Sequence, residues 1–146
     1  MYNTDRRIGK ILNITTKMFR QKVKEEALSE GINMTEIWIL STLTKNNNTE
    51  LTQKDLCDIL KLTAPSISIT LSNLENNGLI ERKKSNVDSR KTIISITDKG
   101  IEKSESCKKY FIKIDEILEN SISKDELEIF YKCMNKFISA MEEYSV

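Results

Sequence analysis

The segment from Thr63 to Gly78 combines a proline, a helical spacing of apolar residues and a glycine in an order that few local structures allow. Pro65 suits the first turn of a helix, where no intrahelical N–H bond is lost. Apolar residues then recur every three or four positions, at Ile67, Leu71 and Leu74. The pattern predicts a helix that begins after an N-cap at Thr63 and ends at Gly78.

A short basic hairpin is predicted directly after this helix. Residues 79–84 are expected to form one strand, 85–89 a polar turn, and 90–96 a return strand in which Ile94 and Ile96 alternate with polar residues. Five basic residues and one acid, Asp88, lie between positions 82 and 91. Asp88 is two residues before Arg90, close enough to hold its guanidinium in one pose. A hairpin that is merely solubilised by charge remains the alternative.

Another short helix is predicted just before the Thr63–Gly78 helix. Thr52 is its expected N-cap, and Asp55 lies where a capping box has its acid. The residues expected on its buried face are Leu56, Ile59 and Leu60. Only a tight turn at positions 61–62 separates the two helices. Two short helices joined in this way and followed by a hairpin predict a winged helix-turn-helix lobe over about residues 35–97.

Amphipathic helices are predicted around this lobe. The first spans about residues 4–28 and ends near Gly31, and the second begins at an N-cap at Thr35. Thr97 caps a fifth helix, and a capping box from Ser123 to Glu126 opens a sixth. We therefore expect a mainly α fold with a small β-wing, in one 146-residue domain. Within it, residues 4–30 and 98–144 are predicted to be dimerisation helices.

Composition excludes several classes of function. The chain has no His, and its three cysteines, Cys57, Cys107 and Cys133, form no CxxC pair. The usual zinc frameworks and the Ser-His or Cys-His catalytic arrangements are thereby removed, so we expect no catalytic residue, no metal site and no cofactor. No apolar run approaches the roughly 20 residues that span a bilayer, and no signal peptide is recognisable. A cytoplasmic location without membrane contact is expected.

The apolar stripe of the Thr63–Gly78 helix also predicts which of its residues form the outer, exposed face. A step of about 100° per residue turns one set of side chains outward, namely Pro65, Ile69, Ser72, Asn73 and Asn76, and leaves Ser66 and Ser68 on the flanks. Ile69 is either a scattered surface residue or a contact to a thymine methyl group. Asn73 can bind adenine through two hydrogen bonds, whereas Ser66 and Ser68 suit phosphates.

This helix contains no Arg or Lys, so most of the affinity for a polyanion must come from elsewhere, chiefly the hairpin. An Arg on a projecting turn suits the narrow minor groove of A·T-rich DNA. The predicted DNA-binding residues are Pro65, Ser66, Ser68, Ile69, Asn73, Lys83, Asp88, Arg90 and Lys91.

Two segments, 74–82 (LENNGLIER) and 88–100 (DSR followed by ITDKG), resemble the MarR family of transcription regulators. The resemblance extends over nearly the whole chain in its order of six helices and a wing. It implies a homodimer formed by the first, fifth and sixth helices, which binds a pseudo-palindromic double-stranded operator. Arg90 falls on the family's minor-groove arginine. Many members carry Arg where this chain has Ile69, so their base preference does not transfer.

The family often has a small-molecule pocket, which would make the protein a repressor released by a small aromatic or amphipathic effector. Candidate pocket residues are Met18, Phe19, Trp38, Tyr110 and Phe111. Aromatic and methionine side chains at helical spacing, however, more often belong to the apolar core. The specialised sensing modes of the family lack support, because the first helix has no Cys and the chain has no His. A winged-helix protein-interaction module without DNA binding is the alternative function.

Overall fold

The computed structural model describes residues 7–144, which form six helices and a two-stranded antiparallel sheet. In chain order these are α1 Ile8–Glu26, α2 Met34–Lys45, α3 Gln53–Leu60, α4 Ala64–Asn76, β1 Ile80–Lys84, β2 Thr92–Ile96, α5 Asp98–Glu119 and α6 Lys124–Glu143. One turn of 3₁₀ helix follows α1 at Leu28–Glu30. The predicted fold class, mainly α with a small β-wing, is confirmed.

Helix starts follow the capping chemistry of the sequence. The capping box predicted at Thr52 is present, because Asp55 Oδ2 accepts from the Thr52 N–H at 2.7 Å while Thr52 Oγ1 accepts from the Asp55 N–H at 3.3 Å. The box predicted at Ser123 is also present. Thr63 occupies the N-cap position of α4, although its side chain makes no capping bond.

The N-cap predicted at Thr35 is wrong. Helix α2 begins at Met34, and Asn33 caps it by accepting from the Glu36 N–H at 3.0 Å. The Glu36 carboxylate accepts from the Asn33 N–H at 2.8 Å in return. The reason is that Glu36 lies three residues after Asn33, which makes Asn33 the residue with a capping-box partner.

The first helix differs from its predicted bounds. Its expected start near residue 4 lies outside the described residues. Its α-helical part ends at Glu26, because the chain tightens into the 3₁₀ turn before Gly31, which adopts a left-handed φ of 63°. The predicted stop near Gly31 therefore marks the end of the 3₁₀ turn and not of the α-helix.

Residues 7–110 and 111–144 belong to two compact units. The first unit holds one apolar core from α2, α3, α4 and the sheet, made of Ile39, Leu40, Leu43, Leu51, Leu56, Ile67, Leu71, Leu74, Leu79, Ile80 and Ile94. The predicted burial of Ile59 is wrong, since it is 49% exposed. Cys57 and Leu60 pack against the core instead, so the tertiary packing buries the Leu60 side of Leu56 and leaves the Ile59 side open.

The two strands pair from Ile80 with Ile96 to Lys84 with Thr92. The Ile94 N–H also donates to the Leu51 carbonyl at 2.8 Å, so Leu51, two residues before α3, extends the sheet by one bridge. Ile94 is buried and Ile96 packs against the core, as the alternation predicts. Ile93 is buried too, which the alternation did not predict.

Candidate nucleic-acid interface

Helix α4 presents the outer face that the sequence predicts. Ile67, Leu71 and Leu74 are buried, and the five residues expected to point outward are all exposed. Ile69 is 67% exposed. Ser66 and Ser68 are half-buried on the flanks. The face that remains open is therefore polar apart from Ile69 and Pro65.

A strained residue joins α3 to α4. Lys61 has a φ of 53° and a ψ of 39°, the left-handed region that non-glycine residues seldom adopt. Its N–H donates to the Cys57 carbonyl and closes α3, and the Leu62 N–H donates to the same carbonyl at 3.3 Å. The left-handed conformation of Lys61 lets the chain turn from α3 into α4 within residues 61–63. The predicted tight turn at positions 61–62 is confirmed.

The turn of the hairpin holds Arg90 in one pose. Asp88 Oδ1 accepts from Arg90 Nε at 3.0 Å, and Asp88 Oδ2 accepts from Arg90 Nη2 at 3.2 Å. Asp88 Oδ1 also accepts from the Arg90 N–H at 3.1 Å. The Arg90 side chain is 89% exposed despite this clamp. The hydrogen bonds from the guanidinium, and then from the Arg90 N–H, lower the pKa of Asp88, so its carboxylate is ionised at neutral pH.

Glu50, which precedes α3, supports the same turn from outside the hairpin. Its carboxylate accepts from the Ser85 hydroxyl and, at 2.8 Å, from the Asn86 N–H. These two bonds lower the pKa of Glu50. No local sequence pattern predicts this role of Glu50, because 35 residues separate it from Ser85.

Two other basic side chains of the wing have acidic partners. Arg82 pairs with Glu75 of α4, and Lys83 pairs with Glu81 on its own strand. Lys91 is exposed, and its N–H donates to the Asp88 carbonyl at 2.9 Å. Arg82, Lys83 and Arg90 are thus each paired with an acidic side chain, and among these three pairs Arg90 has the most exposed basic side chain.

The segment after the wing fixes the end of α4. Thr97 Oγ1 donates to the Gly78 carbonyl at 2.8 Å and accepts from the Gly100 N–H, and Lys99 Nζ donates to the Asn77 carbonyl at 2.8 Å. Gly100 lies so close to the Leu79 backbone that a Cβ there would be 2.1 Å from the Leu79 oxygen. The ITDKG motif therefore packs the start of α5 against the end of the predicted recognition helix.

A second polar cluster surrounds Glu30 at the 3₁₀ turn. Lys103 Nζ donates to the Glu30 carboxylate at 2.9 Å and to its carbonyl at 2.6 Å, and the Tyr110 hydroxyl donates to the carboxylate at 3.0 Å. These contacts, Lys103 first and Tyr110 second, lower the pKa of Glu30. Burial raises the pKa of the neighbouring Cys107 thiol. Tyr110, a predicted pocket residue, thus has a structural partner.

Two of the clefts lie near the start of α2. The larger, of about 710 Å³, lies between α1 and the start of α2, and Arg20, Lys24 and Thr70 are among its lining residues. The smaller, of about 440 Å³, is lined by Glu30, Lys103 and neighbouring residues. Neither cleft is lined by the predicted pocket residues Met18, Phe19, Trp38, Tyr110 or Phe111. The guanidinium of Arg20 lies 5.9 Å from the centre of the Trp38 ring, at the edge of the larger cleft.

Within residues 7–144 no group of three or more Cys, Asp or Glu side chains is placed to hold a metal ion. Over the same range no helix has the length and apolar character needed to cross a membrane.

Comparison with known proteins supports the architecture. The fold of this chain matches that of MepR from Staphylococcus aureus in its complex with DNA. The TM-score is 0.86 and the sequence identity 24%, over 92% of this chain and 96% of MepR. MepR in its DNA-binding conformation matches at 0.82 and 25% identity, over 92% and 98%. The MarR-type winged helix predicted from the sequence is therefore confirmed.

Sequence relatives are described as regulators. YdgJ of Bacillus subtilis (strain 168), an uncharacterised HTH-type transcriptional regulator, is 32% identical over 87 residues, or 60% of this chain. The match spans only 51% of YdgJ, about half its length. YwoH of the same organism, described in the same words, is 23% identical over 127 residues, covering 87% of this chain and 90% of YwoH.

The family model described as transcriptional regulator SarA/Rot matches residues 18–107. Because that match covers more than half of the chain, the protein belongs to the SarA/Rot family of transcriptional regulators.

Proposed function

We propose that this regulator binds double-stranded DNA as a homodimer, with α4 in the major groove and the turn of the hairpin at the adjacent minor groove. The observation that carries this proposal is the pose of Arg90, whose guanidinium is held by Asp88 at 3.0 and 3.2 Å while 89% of its side chain stays exposed. An exposed Arg is normally mobile, so a clamp at such a position suits insertion into a narrow groove.

The outer face of α4 has the chemistry to read base edges. Asn73 can form two hydrogen bonds to adenine, and Ile69 can contact a thymine methyl group. Ser66 and Ser68, at the flanks, suit phosphate oxygens. Pro65, exposed in the first turn of α4, has no N–H to donate and can offer only an apolar contact. An A·T-rich site agrees with both contacts and with an Arg in a narrow minor groove.

A second copy would cover apolar surface that the chain leaves open. Ile8, Ile11, Leu12 and Met18 of α1 are exposed, and none of the described residues of α6 is buried. A two-fold dimer places two recognition helices about 34–36 Å apart on one face of DNA, which requires a pseudo-palindromic operator. MepR, described as a DNA complex, provides the precedent for the fold.

We further propose repression that is relieved by an amphipathic, negatively charged effector. MepR is described as the regulator of the multidrug efflux pump MepA. In this chain the larger cleft combines the cations Arg20 and Lys24 with apolar Val23 and Ala27, and Thr70 on the inner side of α4 also lines it. An anion bound there would touch the helix that is proposed to enter the major groove. Such a regulator acts in the cytoplasm, on chromosomal DNA.

The experiment is selection of bound fragments from the source genome, followed by fluorescence anisotropy with the selected duplex. Arg90→Ala should weaken binding by roughly tenfold to a hundredfold, whereas Lys91→Ala should cost only about one phosphate contact. Asp88→Ala should also weaken binding, although removing an acid from a DNA-facing turn would strengthen a purely electrostatic contact. Tighter binding by Asp88→Ala would refute the clamped pose. No binding of any duplex at low salt would instead favour a protein-interaction module.

A further inference from the structure

We propose that Glu50, which lies outside the hairpin, is a positioning residue that sets the pose of Arg90 through Ser85 and Asp88. The inference rests on the proposed DNA-binding function and adds a residue that no motif of the wing contains. Four residues form the connection, and each link is a hydrogen bond between named atoms.

The first link fixes the start of the turn. The Glu50 carboxylate accepts from the Ser85 hydroxyl and from the Asn86 N–H at 2.8 Å. Glu50 is itself held in place, because the next residue, Leu51, is buried and its carbonyl accepts from the Ile94 N–H of β2 at 2.8 Å. The carboxylate therefore reaches the turn from a backbone that is part of the sheet.

The second link passes through a buried hydroxyl. Ser85 is 6% exposed, and its Oγ accepts from the N–H groups of Val87 and Asp88, both at 3.0 Å. A serine hydroxyl offers one donor and two acceptor positions, so the bond to Glu50 and the two N–H bonds use all of them. If Glu50 is removed, the buried hydroxyl loses its acceptor and is free to rotate. The two backbone N–H groups that define the turn then lose a fixed partner.

The third link is the clamp itself. The Asp88 N–H is fixed by Ser85, and the Asp88 carboxylate holds Arg90 through three N–H groups at 3.0 to 3.2 Å. The strands do not depend on Glu50, since five residue pairs and the Leu51 bridge hold them. The expected effect of losing Glu50 is therefore a loosened turn on an intact hairpin.

Electrostatics alone predicts the opposite outcome. Glu50 places a negative charge beside a turn that is proposed to face phosphates, so its removal should strengthen binding if only charge matters. The two explanations thus differ in sign. The matched control is Glu81→Gln, which removes one negative charge from the adjacent strand and breaks no bond of the turn.

The test compares wild type, Glu50→Ala, Glu50→Gln, Arg90→Ala and the double variant Glu50→Ala/Arg90→Ala by anisotropy with the selected duplex. We expect Glu50→Ala to weaken binding roughly tenfold. Glu50→Gln should keep part of the affinity, because its amide oxygen can still accept from Asn86. Glu81→Gln should bind as tightly as wild type or more tightly. Glu50→Ala should add nothing in the Arg90→Ala background, because both changes remove the same groove contact.

A second readout needs no DNA. In nitrogen-15 NMR spectra, the Nε–H signal of Arg90 and the amides of Val87 and Asp88 should exchange slowly in wild type and faster in Glu50→Ala. Unchanged exchange in Glu50→Ala overturns the proposal, whether or not DNA binds. Unchanged or tighter DNA binding by Glu50→Ala also overturns it when Arg90→Ala weakens binding, and the proposed function then still stands. Full-length protein that binds no duplex, with faster exchange in Glu50→Ala, would refute the proposed function and leave the positioning role supported.

Discussion

The winged-helix lobe and the C-terminal helix α6 carry apolar stripes of similar regularity but differ in what covers them. In the lobe, Ile67, Leu71 and Leu74 of α4 are buried within one core. In α6, the corresponding stripe is open, and Phe130, Tyr131, Ile138 and Met141 are all about half exposed or more. The lobe buries its own stripe, whereas α6 presents a stripe that only another surface can cover.

The exposed apolar residues of the lobe have a different character. Ile69 stands on an otherwise polar helix face, whereas the residues of α6 recur along a continuous stripe. A contiguous apolar surface marks an interface between proteins, and a single exposed side chain does not. The comparison therefore supports the proposed dimer contact at α6 and the proposed DNA contact at the α4 face, and separate substitutions can test each proposal.

The largest effect is expected from Ile138→Glu on the open stripe. An unpaired charge in an apolar interface should produce a monomer, and specific DNA affinity should fall roughly a hundredfold or more because two linked half-sites become one. Light scattering and anisotropy measure the two effects. Ser139→Glu adds the same charge about 100° around the helix from Ile138, outside the apolar stripe, and should remain dimeric. A dimer at micromolar concentration in the Ile138 variant would remove α6 from the interface.

Leu71→Ala should destabilise the lobe by about 2–5 kcal/mol, because the side chain is fully buried and leaves a cavity. Urea unfolding at two protein concentrations provides the measurement. Leu71→Ala should lower the urea midpoint by the same amount at both protein concentrations. Ile138→Ala should lower the midpoint only at concentrations at which dimerisation contributes to stability. Equal concentration dependence for both variants would mean that the lobe is not self-sufficient.

Gly100→Ala should cost about 1–3 kcal/mol, because a Cβ would lie 2.1 Å from the Leu79 carbonyl oxygen and the backbone must move to admit it. Gly9→Ala is the matched control, since a Cβ added at Gly9, on α1, would have no contact atom within 4 Å. That variant should be neutral or slightly stabilising. Thermal unfolding compares the two, and an unaffected Gly100 variant would show that the contact between α5 and the end of α4 is loose.

Ile69→Ser should give the smallest effect, a loss of roughly 1 kcal/mol of discrimination at one T·A pair in each half-site. The slope of log affinity against log salt should not change, because Ile69 carries no charge. Replacing that thymine by uracil should reproduce the loss, and the two changes should not add. If specific and non-specific affinity both stay as in wild type, Ile69 is a bystander and the proposed reading face is misplaced.

Local sequence patterns predicted much of the fold. The helix of Thr63–Gly78, its outer face and the hairpin followed from proline and glycine positions and from a 100° step, which depend only on neighbouring residues. The predictions for Thr35 as an N-cap and for Ile59 as a buried residue were wrong because the local sequence was compatible with two alternatives in each case. The structure decided between them through the Asn33–Glu36 box and through the packing of Cys57 against the core.

The sequence by itself determined the winged helix, the clamp between Asp88 and Arg90, and the apolar stripes of the long helices. Each of these features depends on residues that are close together in the sequence. Only the tertiary structure decided that Glu50 supports the wing across 35 residues, that Lys103 and Tyr110 hold Glu30 across 73 and 80, and that Gly100 fits against Leu79. Those contacts depend on which elements the core brings together. Periodicity indicates the conformation and faces of each element, whereas hydrogen bonds between distant residues require the packing of the core to bring their elements together.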